Sequence, residues 1–340
     1  MRILHAGHPD DGGRLPAGAP RSVPPADPGS PRRPPLPVHR LPEHRPRGGG
    51  RGTPPAGPPH LNAVRVLAYP RWLEPLRARG AQGRVLATFR RCAYVAFWGP
   101  EETVAALVAP DLGRGPLSLL AEGVSWASLQ PGDPVRITPS CLQAGEQTLD
   151  LDGAARWDPT LPRARPDPVQ VRRCCAWLVA SAPPESLACL VPHLLQGRGP
   201  SLRDWHRRAL EGALALAAGA HASGCGLLCG LGQGLTPSGD DFLCGWMLAL
   251  YLQGRPRETL LQHARGTHRI ARAYLRAAAA GFASEAWHRL AASLSEGDWE
   301  AAAREVLSVG ETSGADTLAG FLAGLLAGEG SRPAPPGPVP

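Results

Sequence analysis

The run GLLCGLGQGLTPSGDDFLCGWMLALYL, residues 226–252, constrains the chain more than any other. Its second half is apolar on every face of a helix, so it must lie in the middle of a core with other helices around it. Its first half is a polar loop in which Gly230, Gly232 and Gly234 leave backbone amides open to close approach. Thr236, Ser238 and Asp240 then place oxygens where the helix begins. The first turn of a helix carries unpaired N–H groups and a partial positive charge, so a start of this kind can hold a phosphate or a carboxylate. Ser and Asp are also the ordinary capping residues, and Gly and Pro the ordinary turn residues, so one such start alone carries little weight.

The pattern returns 75 positions later. SGDDFLCG at 238–245 is echoed by SGADTLAG at 313–320, with Ser, Gly, Asp, Leu and Gly in register at five of the eight positions. Both copies open an apolar helix. We read them as two similar helix starts that converge on one site, the first with Ser238, Asp240 and Asp241, the second with Ser313 and Asp316. Gly245 with Ala249, and Gly320 with Gly324, stand one turn apart and let helices approach closely, a packing feature.

Charge and composition exclude several classes. The net charge is +7, of which residues 1–60 contribute +5 through nine Arg against four Asp plus Glu. The remainder is nearly neutral, which disfavours a nucleic-acid surface. All 36 basic residues are arginine. Without lysine there is no Walker A phosphate loop and no Schiff-base chemistry, so a bound phosphate has to be gripped by amides, hydroxyls and arginine. The eight cysteines fall mostly within apolar runs and read as small core residues of a reducing cytoplasm. Cys225 and Cys229 stand four apart with no second zinc-like pair. No apolar helix is long enough for a bilayer and no secretory leader is visible, so a cytoplasmic protein without membrane contact is expected.

The expected fold is α+β. Residues 1–60, with sixteen prolines and ten glycines, read as a disordered arm. Residues 62–160 read as a small β-rich barrel or sandwich, with strand-like runs at 84–98, 103–108, 134–138, 141–143, 147–151 and 154–157 and no catalytic constellation. RARPDP at 163–168 reads as a linker. An all-α helical domain with the glycine loop follows over 169–328, with helices expected at 169–180, 184–196, 202–221, 241–252, 257–280, 284–294, 299–307 and 317–327; residues 329–340 read as a disordered tail.

Between the two echoed segments lie Thr267, His268 and Arg269, with Arg272 and Arg276 at helical spacing. Arg269 is the one we place over an anion seated on the loop, in the forked geometry that suits carboxylate or phosphate. A lone helical histidine is usually structural, and His268 is given no catalytic role. Asp240, Asp241 and Asp316 have the oxygen chemistry of a divalent-cation site, but acids in a first helical turn are stabilised by the dipole anyway. The expectation is no metal and no cofactor.

GLGQGLTPSGDDFLCG, THRIARAYLRAAAAGFASEAWHRL and VGETSGADTLAG, in that order and spacing, resemble a bacterial family that includes the AllH subunit of oxamate carbamoyltransferase. The resemblance covers residues 62–328. The family loop usually reads GPGLTPSGDD, and Gln233 stands here in place of its proline, which changes stiffness and not polar groups. The resemblance implies purine or allantoin catabolism, in a complex with two other subunits that interconverts oxalurate plus phosphate with oxamate plus carbamoyl phosphate. It implies a small anionic substrate held by Gly232, Gly234, Thr236, Ser238, Asp240 and Asp241, with Ser313, Asp316 and Arg269 completing the pocket. The Ser-x-Arg-Thr-Arg motif of ordinary carbamoyltransferases is absent. The alternative is a non-catalytic anion- or carboxylate-binding or scaffolding subunit acting on another substrate.

Overall fold

A computed structural model describes residues 63–328. The arm expected at 1–60 and the tail at 329–340 lie outside the described residues.

The first part is a closed barrel. Its strands are β1 (Ala63–Pro70), β2 (Ala81–Thr88), β3 (Cys92–Phe97), β4 (Thr103–Val108), β5 (Ser118–Glu122), β6 (Pro134–Ile137), β7 (Cys141–Ala144) and β8 (Gln147–Asp150). They pair in the order β5-β4-β3-β2-β6-β7-β8-β1, and β1 returns to β5, which removes both free edges. A short β9 (Ala155–Trp157) continues the edge of β1 past the end of β8. One short helix, α1 (Glu74–Arg79), follows β1. Alternation builds the interior: Val135 and Ile137 of β6, and Leu142 and Ala144 of β7, are buried between exposed neighbours. The run at 84–98 is a hairpin and not one strand, because Phe89, Arg90 and Arg91 form its turn.

The second part is helical: α2 (Pro168–Ser181), α3 (Val191–Gln196), α4 (Asp204–Ala217), α5 (His221–Leu228), α6 (Ser238–Leu252), α7 (Glu258–His263), α8 (Arg269–Ala279), α9 (Glu285–Glu296), α10 (Glu300–Leu307) and α11 (Ser313–Ala327). Each residue of α6 from Gly239 to Leu250 is buried, as an all-apolar helix requires. Its main neighbour is α11. A Cβ at Gly245 would overlap the carbonyl oxygen of Thr317, and one at Gly320 would overlap that of Phe242. The two helices therefore touch backbone to backbone.

The single helix expected at 257–280 is broken at 264–268, where Gly266 turns its carbonyl toward the glycine loop; a Cβ on Gly230 would stand 2.5 Å from it. Helix α5 was not expected, because its sequence HASGCGLL is mostly small residues. Those small residues let it lie tight on α4, where a Cβ at Gly224 would meet Leu216 at 2.6 Å.

The barrel and the helices share a core. Ala273, Tyr274 and Ala277 of α8 pack on Ala68, Ala106, Val108 and Leu120 of the barrel. Among the described residues, no helix is long and apolar enough to cross a membrane.

Candidate functional site

The glycine loop joins α5 to α6. Gly230, Gly232 and Gly234 all have positive φ (72°, 116° and 88°), which only glycine adopts without strain. At Gly232 space is also short, since a Cβ would stand 2.7 Å from the Ser238 nitrogen. The base of the loop is pinned: Leu231 N–H donates to Leu228 O at 2.9 Å and Gly239 N–H to Leu231 O at 2.8 Å. Its crest, residues 232–235, is exposed, and the amides there have no hydrogen-bond partner among the described residues. A row of unpaired amides beside a helix N-terminus is an anion-binding arrangement.

The second helix start is built in the same way. Gly314 N–H donates to Val309 O at 2.9 Å, the counterpart of Gly239 to Leu231. A Cβ at Gly239 would overlap Leu228 O at the end of α5, and one at Gly314 would overlap Val306 O near the end of α10. Helix, glycine turn and helix are thus repeated, and α6 faces α11 across an approximate two-fold. The two starts meet at Thr236 Oγ1 and Ser313 Oγ, 3.1 Å apart.

Their carboxyls cross over. Thr236 and Ser313 stand beside Asp241, and Ser238 and Thr312 beside Asp316, so the acid of each copy is approached by the serine of the other. Asp241 is 7 % exposed and Asp316 wholly buried. Burial pushes the Asp241 carboxyl well up, and the charge of Asp316 adds to the rise. Burial pushes Asp316 up to about 6, against hydrogen bonds including one from Leu187 N–H to Oδ1 at 2.6 Å. One oxygen of each, Oδ2, is buried without a hydrogen-bond partner.

Asp240 points elsewhere. Its Oδ1 accepts from Gly230 N–H at 3.1 Å and its Oδ2 from Thr267 Oγ1, so both oxygens tie the loop to the break before α8. Its counterpart in the second copy is a buried alanine, Ala315. Arg269 is not aimed at the loop. Its guanidinium grips Glu102 of the barrel with two nitrogens, Nε at 2.9 Å, while Arg276 reaches Glu101 at 3.5 Å. We expect Arg269→Ala to cost less than about 1 kcal/mol, since exposed ion pairs contribute little. A double-mutant cycle with Glu102→Gln checks it: a coupling several times larger would overturn this estimate, and loss of anion binding in Arg269→Ala would return Arg269 to the site.

Sequence reasoning passed over Thr312, Glu102 and the pair Tyr94 and Tyr274, whose hydroxyls lie 3.2 Å apart between barrel and α8. Only Thr312 left a signal, as the residue before the second serine. Cys229, at the head of the loop, has its thiol pushed up to about 12 by burial, so it supplies no thiolate.

Residues 64–156 match the AllH family N-terminal domain, and residues 227–325 match the oxamate carbamoyltransferase subunit AllH. The chain belongs to the AllH family. The two AllH matches together span more than half of it, and the second contains both helix starts, from α5 to the body of α11. Neither the curated proteins nor the solved structures hold a match to this AllH chain.

Proposed function

We propose that the chain is the AllH-type subunit of a carbamoyltransferase complex, and that its glycine loop with Ser313 holds the small anionic substrate. The reaction implied is oxalurate plus phosphate to oxamate plus carbamoyl phosphate, in purine or allantoin catabolism in the cytoplasm, with two other subunits. The observation that carries this reading is the crest at 232–235, whose exposed, unpaired amides lead directly into Thr236, itself in contact with Ser313. Phosphate and oxamate both present oxygens to such donors, and the amides and hydroxyls would steady the charge that develops on the carbamoyl oxygen.

The test is phosphate and oxamate binding by calorimetry, with turnover measured after co-expression with the two partner subunits. Thr236→Val and Ser313→Ala should each weaken binding about tenfold, the effect of one lost hydrogen bond to a charged group. Unchanged affinity in both variants would remove the loop from the site.

A second reading has its own support. Leu235 on the first loop and Val309 before the second helix start are 38 % and 54 % exposed, apolar side chains left open to solvent near both starts in the chain. Such side chains suit a protein partner that completes the site, in which case binding and turnover appear only in the complex.

A further inference from the structure

An anion on this loop raises a charge problem. Asp241, beside Thr236 and Ser313, and Asp316, beside Ser238 and Thr312, are each at least nine-tenths buried, and each has an Oδ2 without a hydrogen-bond partner. A buried polar atom left unpaired is destabilising, more so when charged, so a repeated pair of such atoms calls for a partner. When ionised, the pair also repels an anion on the loop. Helix dipoles do not explain the arrangement, because a dipole needs only a charge near the N-terminus and not two buried acids with unpaired oxygens.

The surrounding donors narrow the partner down. Asp241 and Asp316 are flanked by the hydroxyls of Thr236, Ser313, Ser238 and Thr312. Cys244, one turn further in, keeps its thiol protonated through burial. The available set is therefore hard oxygen, which selects magnesium, manganese or calcium over zinc or copper. No group of three ligating His, Cys, Asp or Glu residues occurs among the described residues, and Asp240 has both oxygens engaged. Two carboxylates are nevertheless what magnesium commonly takes from a protein when a substrate phosphate and water supply its remaining positions.

We propose that Asp241 and Asp316 bind one divalent cation of the magnesium or manganese class at the seam between α6 and α11, where it bridges the two carboxylates to the anion on the glycine loop. The cation turns a repulsive base into an attractive one: two negative charges are balanced, and the anion meets metal on one side and backbone amides on the other. The paired architecture gains a purpose, since each copy of the motif contributes one acid. The bridging role rests on the anion-binding reading above; the cation site itself does not.

The two are tested separately on the full chain, stripped with chelator and dialysed. Titration with Mn2+ alone, followed by electron paramagnetic resonance and calorimetry, should show one saturable site per chain, displaced by Mg2+. Asp241→Asn and Asp316→Asn keep shape and hydrogen bonding, and each should weaken Mn2+ at least about tenfold. Glu311→Gln, an exposed acid beside the second start, should not. No saturable Mn2+ site in the parent up to millimolar metal overturns the proposal, whatever the variants do. So does a site that both Asn variants retain. Phosphate is then added. Tighter phosphate binding with Mn2+ in the parent and not in Asp316→Asn supports the bridge. Mn2+ binding without any phosphate binding upholds the cation and removes the anion reading. Phosphate binding that ignores Mn2+ and tightens as pH falls overturns the bridge while the anion site stands.

Discussion

Gly320→Val is expected to leave no folded protein at ordinary temperature, and Gly245→Val to do the same. At each position the first side-chain carbon already overlaps a backbone carbonyl of the opposite helix, Phe242 O for Gly320 and Thr317 O for Gly245. Backbone cannot swing aside as a side chain can, so one helix has to move bodily. Both helices are held on every side: α6 is buried from Gly239 to Leu250, and α11 is buried from Leu318 to Leu325. Separating them opens the central seam and breaks the meeting of the two helix starts. Overpacking of this kind falls in the rare class that costs more than about 4–5 kcal/mol, against a total stability of about 5–15 kcal/mol. The measurement is soluble yield and thermal unfolding by circular dichroism. Gly226→Ala in α5 is the control: a Cβ there meets nothing within 4 Å, so a neutral or slightly stabilising change is expected. A Gly320→Val protein that melts within a few degrees of the parent would show that the helices do not touch as described.

Much of this arrangement can be read in the chain. The helix apolar on all faces, the echo of SGDDFLCG in SGADTLAG and the small residues at Gly245 and Gly320 follow from residue type and spacing, and the structure joins them in one seam. Strands with clean alternation, such as β6 and β7, are legible for the same reason. Strand β5, SLLAE, is not: a short continuous apolar run fits a buried strand or a buried helix equally, and closure against β1 decides it. Helix α5 is hidden because its small residues carry no amphipathic stripe.

Within the site, the failures have one cause. Asp240 and Asp241 are neighbours in sequence, yet adjacent helical residues point about 100° apart, so one turns back to clamp the loop and Thr267 while the other enters the seam. No pattern in the sequence says which. Arg269 has the right residue type for an anion, but its long side chain reaches Glu102, 167 positions away, and only the docking of α8 on the barrel brings that partner close. Residue type selects the candidates, whereas tertiary contacts distribute them between holding the fold and facing a ligand.

Asp316→Asn, measured in EDTA, should make the protein more stable, and increasingly so as pH rises. The Asp316 carboxyl is pushed from an ordinary 3.8 up to about 6 by burial. A folded-state value above the unfolded one means that the native protein holds a proton which the unfolded chain has already released. Stability therefore falls as pH rises from about 4 to about 6 and stays lowered above that window. The difference corresponds to about 3 kcal/mol for this fully buried group. Asp241, raised mainly by burial, adds a decline of the same sign, somewhat smaller in the variant, where the Asp316 charge no longer contributes to its rise. Asparagine does not ionise and still accepts from Leu187 N–H, so the variant lacks this part of the decline. Urea unfolding at a series of pH values checks it: the two curves should lie close near pH 4 and separate by about 3 kcal/mol by pH 8. Parallel curves would mean that Asp316 titrates normally. So costly a charge in a buried seam calls for a counter-charge, and Mn2+ would supply one by mass action on the folded state. Added Mn2+ should accordingly raise the stability of the parent at high pH far more than that of the variant at the same concentration, which would tie the energetic cost of the pair to the proposed ion.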